Sequence, residues 1–244
     1  MSNGTTVKKR NGRGTEPLNL DKIHVMVEEA CNGLAGVSAS QVEIQSGIQF
    51  YDGITTAEIQ EILIRSASDL IDLDHPNYQF VSARLLLFAL RKSLYGRMRE
   101  CPNVKTHVKK CVEMGVYDSE ILNLYDDEEF QKLDSFIDHD RDFLFTYAGL
   151  RQVVDKYLVQ DRSTNQVYET PQFMYLMIAA TIFSKYPKET RLDYVKRYYD
   201  AISKHKINIP TPIMAGVRTP IRQYASCVLV DIDDTLDSIF SSDM

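Results

Sequence analysis

Two stretches of this 244-residue chain carry residue types that could do chemistry. The first runs Pro210-Thr211-Pro212-Ile213-Met214-Ala215-Gly216-Val217-Arg218-Thr219-Pro220 and continues into Gln223-Tyr224-Ala225-Ser226-Cys227-Val228-Leu229-Val230-Asp231. It joins a loop rich in hydroxyls and prolines, suited to a phosphate, to an apolar run expected to form a strand at Cys227 to Asp231. That strand holds a single cysteine. On periodicity alone Cys227 reads as a small hydrophobe of a buried strand. As a thiol it is also a candidate for redox chemistry, because a thiolate is a good nucleophile and electron donor. The second stretch is basic: Lys8, Lys9, Arg10 and Arg13 surround an Asn11-Gly12 turn just ahead of a helix start. Cations beside a helix N-terminus attract phosphate, although a solvated basic turn is the plainer reading.

The elements that must hold these residues are mostly helices. Val7 to Arg10 and Thr15 to Leu20 read as a small hairpin, since Asn-Gly supplies the positive φ angles of a tight turn. Asp21 opens a helix with Ile23, Val27, Ala30, Cys31 and Leu34 at helical spacing, closed by Gly33 and Gly36. Ser40 with Glu43, and Thr55 with Glu58, read as capping boxes of a second and a third helix. Asp74-His75-Pro76 ends the third. A long fourth helix follows through Val81, Leu85, Phe88 and Leu90, and Arg99 to Asn103 is a hinge. Helices are then expected at Val104 to Met114, Ser119 to Tyr125, Glu128 to Ile137 and Asp142 to Tyr157, with a second hairpin between Tyr157 and Thr170. Pro171 suits a first helical turn. The helix from there to Phe183 is apolar on nearly every face and should be buried. Arg191 to Lys204 is a last amphipathic helix, and the tail at Phe240 to Met244 should fray.

Composition bounds the function. Hydrophobic residues are 44% and charged residues 25% of the chain, enough to build a core. The 28 Lys and Arg against 34 Asp and Glu leave a net charge of −6, which argues against sequence-independent nucleic-acid binding. Cys31, Cys101, Cys111 and Cys227 have neither metal-ligand nor disulfide-framework spacing. No segment reads as a secretory signal or a membrane span, so a cytoplasmic setting is expected. His139 lies among Asp138, Asp140 and Asp142, an arrangement open to acid–base work. Aspartates capping a helix boundary, with their charges solvated, account for it more simply. The aromatic series Phe173, Tyr175, Tyr186, Tyr194, Tyr198 and Tyr199 reads as core and domain interface.

Three segments resemble the large (alpha) subunit of class Ia ribonucleotide reductase: Val7 to Gly12 with Leu18 to Ile23; Phe136 to Asp142 with Lys156 to Val159 and Thr170 to Phe173; and Pro210 to Asp231. The resemblance implies a mainly α fold with small β elements. An ATP-cone would occupy 1–95, a helical domain 96–213, and the opening of a ten-stranded α/β barrel 214–244, to be completed by another chain. It implies reduction of ribonucleoside diphosphates by radical chemistry. A thiyl radical takes a hydrogen from the ribose, and two further cysteines supply two electrons and end as a disulfide.

On that resemblance Cys227 matches one of the reducing pair. Thr211 and Ser226 match holders of the substrate diphosphate, and Asp234 matches a contact to the specificity effector. Lys9, Arg10, Glu16, Asn19, Lys22, Thr56 and Lys92 match the nucleotide contacts of the cone. No covalently bound cofactor or metal is implied for this chain. ATP and deoxynucleoside triphosphates would be effectors, and the radical would come from a separate, metal-containing small subunit. The radical cysteine, the partner of Cys227 and the shuttle cysteines would lie beyond Met244. The implied partners are therefore a second polypeptide carrying the rest of the large subunit, the small subunit, and thioredoxin or glutaredoxin. No membrane or nucleic acid is implied. The flavour of Phe88-Ala89-Leu90-Arg91-Lys92 suggests a bacteriophage version split between two chains, acting in host cytoplasm. Gln60 and Ala89 stand where the best-known bacterial type has histidines, which implies weak inhibition by dATP. The rival reading is a non-catalytic ATP-binding regulatory or interaction protein.

Overall fold

The computed structural model describes residues 5–9, 14–221 and 223–243. Strand β1 (Thr6–Lys8) pairs antiparallel with β2 (Thr15–Pro17), Val7 opposite Glu16, so the first hairpin is present. Its Asn11-Gly12 turn and Arg10 lie outside the described residues. β1 also pairs parallel with the two-residue β3 (Ile54–Thr55), Val7 opposite Ile54, which closes a three-stranded sheet in the order β2-β1-β3. Val7 and Ile54 are buried beneath it.

Helix α1 (Leu20–Cys31) starts one residue before Asp21, because Asn19 caps it: its Oδ1 accepts from the Lys22 amide at 3.0 Å. The Cys31 end is closed by Gly33 at φ +73°, a left-handed turn that glycine adopts without a Cβ clash. α2 (Ala39–Gly47) is capped by Ser38 instead of Ser40; the Ser38 hydroxyl accepts from the Gln41 amide. The Thr55/Glu58 capping box opens α3 (Thr56–Asp69) with both reciprocal bonds made. α4 (Tyr78–Tyr95) packs on α1 and α3 and ends at Gly96. Its C-terminal half belongs also to the second half of the chain, since α4 packs on α8 (Tyr147–Gln152).

After residues 99–103 come α5 (Val104–Glu113), α6 (Ile121–Leu124) and α7 (Asp127–Phe136). The single helix expected over Asp142 to Tyr157 is instead three pieces: a 3-10 turn (His139–Leu144), α8, and a π turn (Val153–Tyr157). The break falls at Phe145, whose extended backbone hands over to Thr146, and the Thr146 hydroxyl caps α8 through the Gly149 amide at 3.3 Å. β4 (Gln160–Asp161) and β5 (Gln166–Val167) form the second hairpin. α9 (Pro171–Phe183) starts on proline and is buried at every residue from Pro171 to Ala180. It packs on α10 (Lys188–Ser203), the last amphipathic helix.

Two expectations at the end of the chain are corrected. Cys227 to Asp231 forms no strand; the segment has no regular secondary structure, with Val228 82%, Leu229 99% and Val230 57% exposed. A strand exists through its neighbours, and among the described residues no backbone edge pairs with this segment, so no ladder forms. Phe240 to Asp243, expected to fray, instead lie in α12 (Leu236–Asp243), opened by the Thr235 hydroxyl accepting from the Ser238 amide at 3.2 Å. Before it, α11 (Thr211–Gly216) carries Pro212 in its first turn, where the missing N–H has no helical partner to lose. Among the described residues no helix is long and apolar enough to cross a membrane.

Candidate functional site

The hairpin and the ends of three helices converge on a cavity of about 520 Å3. β2 brings Glu16, the first turn of α1 brings Lys22 beside the capping Asn19, α3 brings Thr56 at its first residue, and α4 brings Lys92 in its last turn. Five of the seven residues expected to contact a nucleotide therefore line one cavity. Lys9 joins them through Glu16: its ammonium lies 3.0 Å from the carboxylate, and that of Lys22 lies 3.7 Å away. The Lys9 hydrogen bond, helped by the charges of Lys22 and Lys9, holds the Glu16 carboxyl below its ordinary range. Arg10 lies outside the described residues.

The opposite wall is apolar, with Val7, Leu18, Ile23, Met26, Ile59 and Met98. Such a site can take a flat apolar ring against its wall while ammonium groups and backbone N–H groups at the starts of α1 and α3 meet an anion. Gln60 also lines the cavity and is buried, its amide 3.9 Å from the Met26 sulfur. Ala89, half-buried on α4, is not among the lining residues.

The residues expected to meet substrate or the specificity effector do not line one cavity. Thr211 lines a second cavity, of about 760 Å3, with its hydroxyl oxygen 3.4 Å from the Tyr157 phenol oxygen. Ser226 and Cys227 lie together on the exposed segment, Oγ to Sγ 3.8 Å, and line neither cavity. Asp234 is exposed in the bend before α12.

A buried ion pair missed by the sequence reading fixes the loop that bears Thr211. Arg218 and Glu169 are fully buried and joined through both guanidinium Nε and Nη2. Arg218 also donates to the carbonyls of Met214, at 2.5 Å, and Tyr157, at 3.0 Å. Glu169 accepts further from the Tyr117 hydroxyl and the Val159 amide. Burial works against the Arg218 cation, but the field and hydrogen bonds of Glu169 outweigh it and raise its pKa.

A second buried pair corrects the reading of the His139 region. Asp138 caps the turn as expected, its carboxylate accepting from the Asp140 amide at 3.1 Å. Asp142 is not solvated: it is 1% exposed and accepts from Arg91 at 3.1 Å and Gln172 at 2.9 Å. Burial pushes its carboxyl up to about 6 against the pull of Arg91 and Gln172. Burial and the nearby Arg91 likewise lower His139 to about 4, so its ring is neutral at pH 7 and packs on Phe173. Neither pair has a periodic signature; Arg218 stands inside the Gly216-to-Pro220 motif, which is the one local signal that could have flagged it.

This architecture, a three-stranded sheet and helices around an anion-ready cavity followed by a helical unit built on a buried helix, defines a mainly helical module in two parts. Residues 5–93 match the family model of the ATP cone domain, and residues 143–222 match that of the ribonucleotide reductase all-alpha domain. The chain is 55% identical over 239 residues to ribonucleoside-diphosphate reductase 1 subunit alpha of Escherichia coli K12, covering 98% of this chain and 31% of that protein. The subunit alpha of Haemophilus influenzae Rd is also 55% identical with the same coverage. That of Enterobacteria phage T4 is 46% identical over 206 residues, covering 84% of this chain and 27% of its own. The chain thus belongs to the ribonucleotide reductase alpha subunits, of which it corresponds to the N-terminal part. It spans about a third of the length of the curated relatives it matches.

Proposed function

We propose that this chain is the N-terminal portion of a ribonucleoside-diphosphate reductase large subunit that works with a second chain carrying the rest of the barrel. The domains are an ATP-cone at 1–95, a helical domain at 96–213, and the barrel's opening segment at 214–244. The observation that carries the reading is the convergence of Glu16, Asn19, Lys22, Thr56 and Lys92 on one cavity with an apolar wall. ATP and deoxynucleoside triphosphates bind there as effectors.

In the assembled enzyme the 214–244 segment finds its strand partners, and Thr211 and Ser226 hold the substrate diphosphate through hydroxyl donors. Asp234 accepts a hydrogen bond from the sugar of the specificity effector. Cys227 and a second cysteine from the other chain give up two protons and two electrons and become a disulfide. The ribose 2′-hydroxyl leaves as water, and C2′ gains a hydrogen. A metal-containing small subunit supplies the radical, and thioredoxin or glutaredoxin restores the thiols. The phage relative supports a phage-type version.

Calorimetric titration of the chain with ATP tests the cone. Lys92→Gln removes a cation from the rim and should weaken binding about tenfold, the size of one charge-assisted contact at an exposed site. Absence of ATP binding at millimolar concentrations, or unchanged affinity in Lys92→Gln, would count against the reading. The rival, a non-catalytic ATP-binding interaction protein, shares the cone but has no turnover in any complex.

A further inference from the structure

The π turn at Val153–Tyr157 has every carbonyl taken up. Leu158 N donates to Val153 O at 3.0 Å, the regular bond of such a turn. The Gln160 amide donates to Val154 O and Asp155 O, at 3.2 and 3.0 Å. Arg162 donates to Asp155 O and Lys156 O, at 3.0 and 3.1 Å, and Arg218 donates to Tyr157 O. A wide turn of this kind is rare, and it recurs where a side chain must be placed for function. Here the side chain is Tyr157, which reaches into the second cavity and meets Thr211. Both residues hang on one guanidinium: Arg218 holds the Tyr157 carbonyl on one side and the Met214 carbonyl, within the helix that Thr211 begins, on the other.

We propose that Tyr157 is a positioning residue for Thr211, presenting the threonine hydroxyl to an anionic oxygen in the cavity. A hydroxyl has one proton and two acceptor lone pairs. When the Tyr157 phenol donates to Thr211 Oγ1, the threonine rotor is fixed and its own proton is left to point at the anion. The buried Arg218–Glu169 pair sets the distance between the two oxygens. This inference rests on the reading of Thr211 as a contact to the substrate diphosphate.

The test uses the complex of this chain with the remainder of the large subunit and the radical-generating small subunit. Tyr157→Phe keeps the ring and removes the hydroxyl. It should raise KM for the nucleoside diphosphate about three- to tenfold, the worth of one oriented hydrogen bond, with kcat within about twofold. The melting temperature of the chain should stay the same, which a purely structural role would not give. In a Thr211→Val background, itself raised in KM, Tyr157→Phe should add nothing. A wild-type KM in Tyr157→Phe beside a raised KM in Thr211→Val overturns the inference alone. So does an equal rise in both backgrounds, or a loss confined to kcat. A wild-type KM in Thr211→Val, or failure of the complex to form, overturns the reading of Thr211 and the inference with it.

Discussion

Replacing Arg218 by methionine would leave Glu169 fully buried with no cation beside it, and would strip the Met214 and Tyr157 carbonyls of a donor. Breaking one partner of a buried pair costs about 3–5 kcal/mol. The size can be bounded further, because the stranded carboxylate can escape by taking a proton. With an ordinary glutamate pKa of about 4.3 in the unfolded chain, that escape costs about 1.36 × (7 − 4.3), or roughly 3.7 kcal/mol, at pH 7. At pH 5 the same arithmetic gives about 1 kcal/mol. The orphaned carbonyls add about 1 kcal/mol at either pH. The sign follows from the folded variant binding a proton that the unfolded chain does not: its deficit grows as pH rises above the unfolded pKa.

Arg218→Met should therefore lose about 4–5 kcal/mol against the parent protein at pH 7 and about 2 kcal/mol at pH 5. At roughly 2–4 °C per kcal/mol for a chain of this size, melting temperatures should differ by about 10–15 °C at pH 7 and about half that at pH 5. Groups common to both proteins cancel. The Arg218→Met/Glu169→Gln double variant, with no charge left to strand, should recover much of the loss at pH 7 and show no such pH dependence. Thermal melts followed by circular dichroism at the two pH values decide it. An equal deficit at both pH values, or a double variant as weak as the single one, would refute the reasoning.

Two further outcomes concern catalysis and regulation. Cys227→Ser should abolish multi-turnover reduction in the assembled enzyme, since serine cannot form the disulfide; normal turnover with a thioredoxin-type or dithiol reductant would contradict this. ATP should stimulate the assembled enzyme and dATP should inhibit weakly or not at all, because Gln60 and Ala89 bring no imidazole to the cone; a dose–response curve reaching near-complete inhibition at low micromolar dATP would refute it.

Where local chemistry decides an element, the sequence was readable. The Thr55/Glu58 capping box, the proline start of α9 and the burial of that helix on all faces each follow from residue type and spacing. The α1 start moved by one residue because asparagine is a better cap than a helix-internal aspartate, and Ser38 took the place of Ser40. What stayed hidden depends on distant partners. Ile54–Thr55 is too short to read as a strand and becomes one through pairing with Val7 and Lys8, far earlier in the chain. Arg91 with Asp142, and Arg218 with Glu169, look like solvated charges until the fold brings each pair together in the interior. The Cys227 segment shows the converse: its apolar run reads as a strand, but a strand is a property of a sheet, and none of the described residues pairs with it. One cavity gathers five of the seven residues that the resemblance implied for the cone, whereas no single cavity gathers Thr211, Ser226, Cys227 and Asp234.

That difference leads to the most direct test. Val228, Leu229, Val230, Leu236 and Phe240, all following Cys227 in the chain, stand exposed at 57–99%, apolar side chains of the kind that a partner surface covers. The chain should be co-expressed with a polypeptide bearing the remaining barrel, the complex isolated by size exclusion, and nucleoside diphosphate reduction measured with and without each component. The account predicts a stable complex that turns over when the small subunit is added, and no turnover by this chain with the small subunit alone. Turnover without the second polypeptide, or failure to co-elute with any barrel-bearing companion, would contradict it.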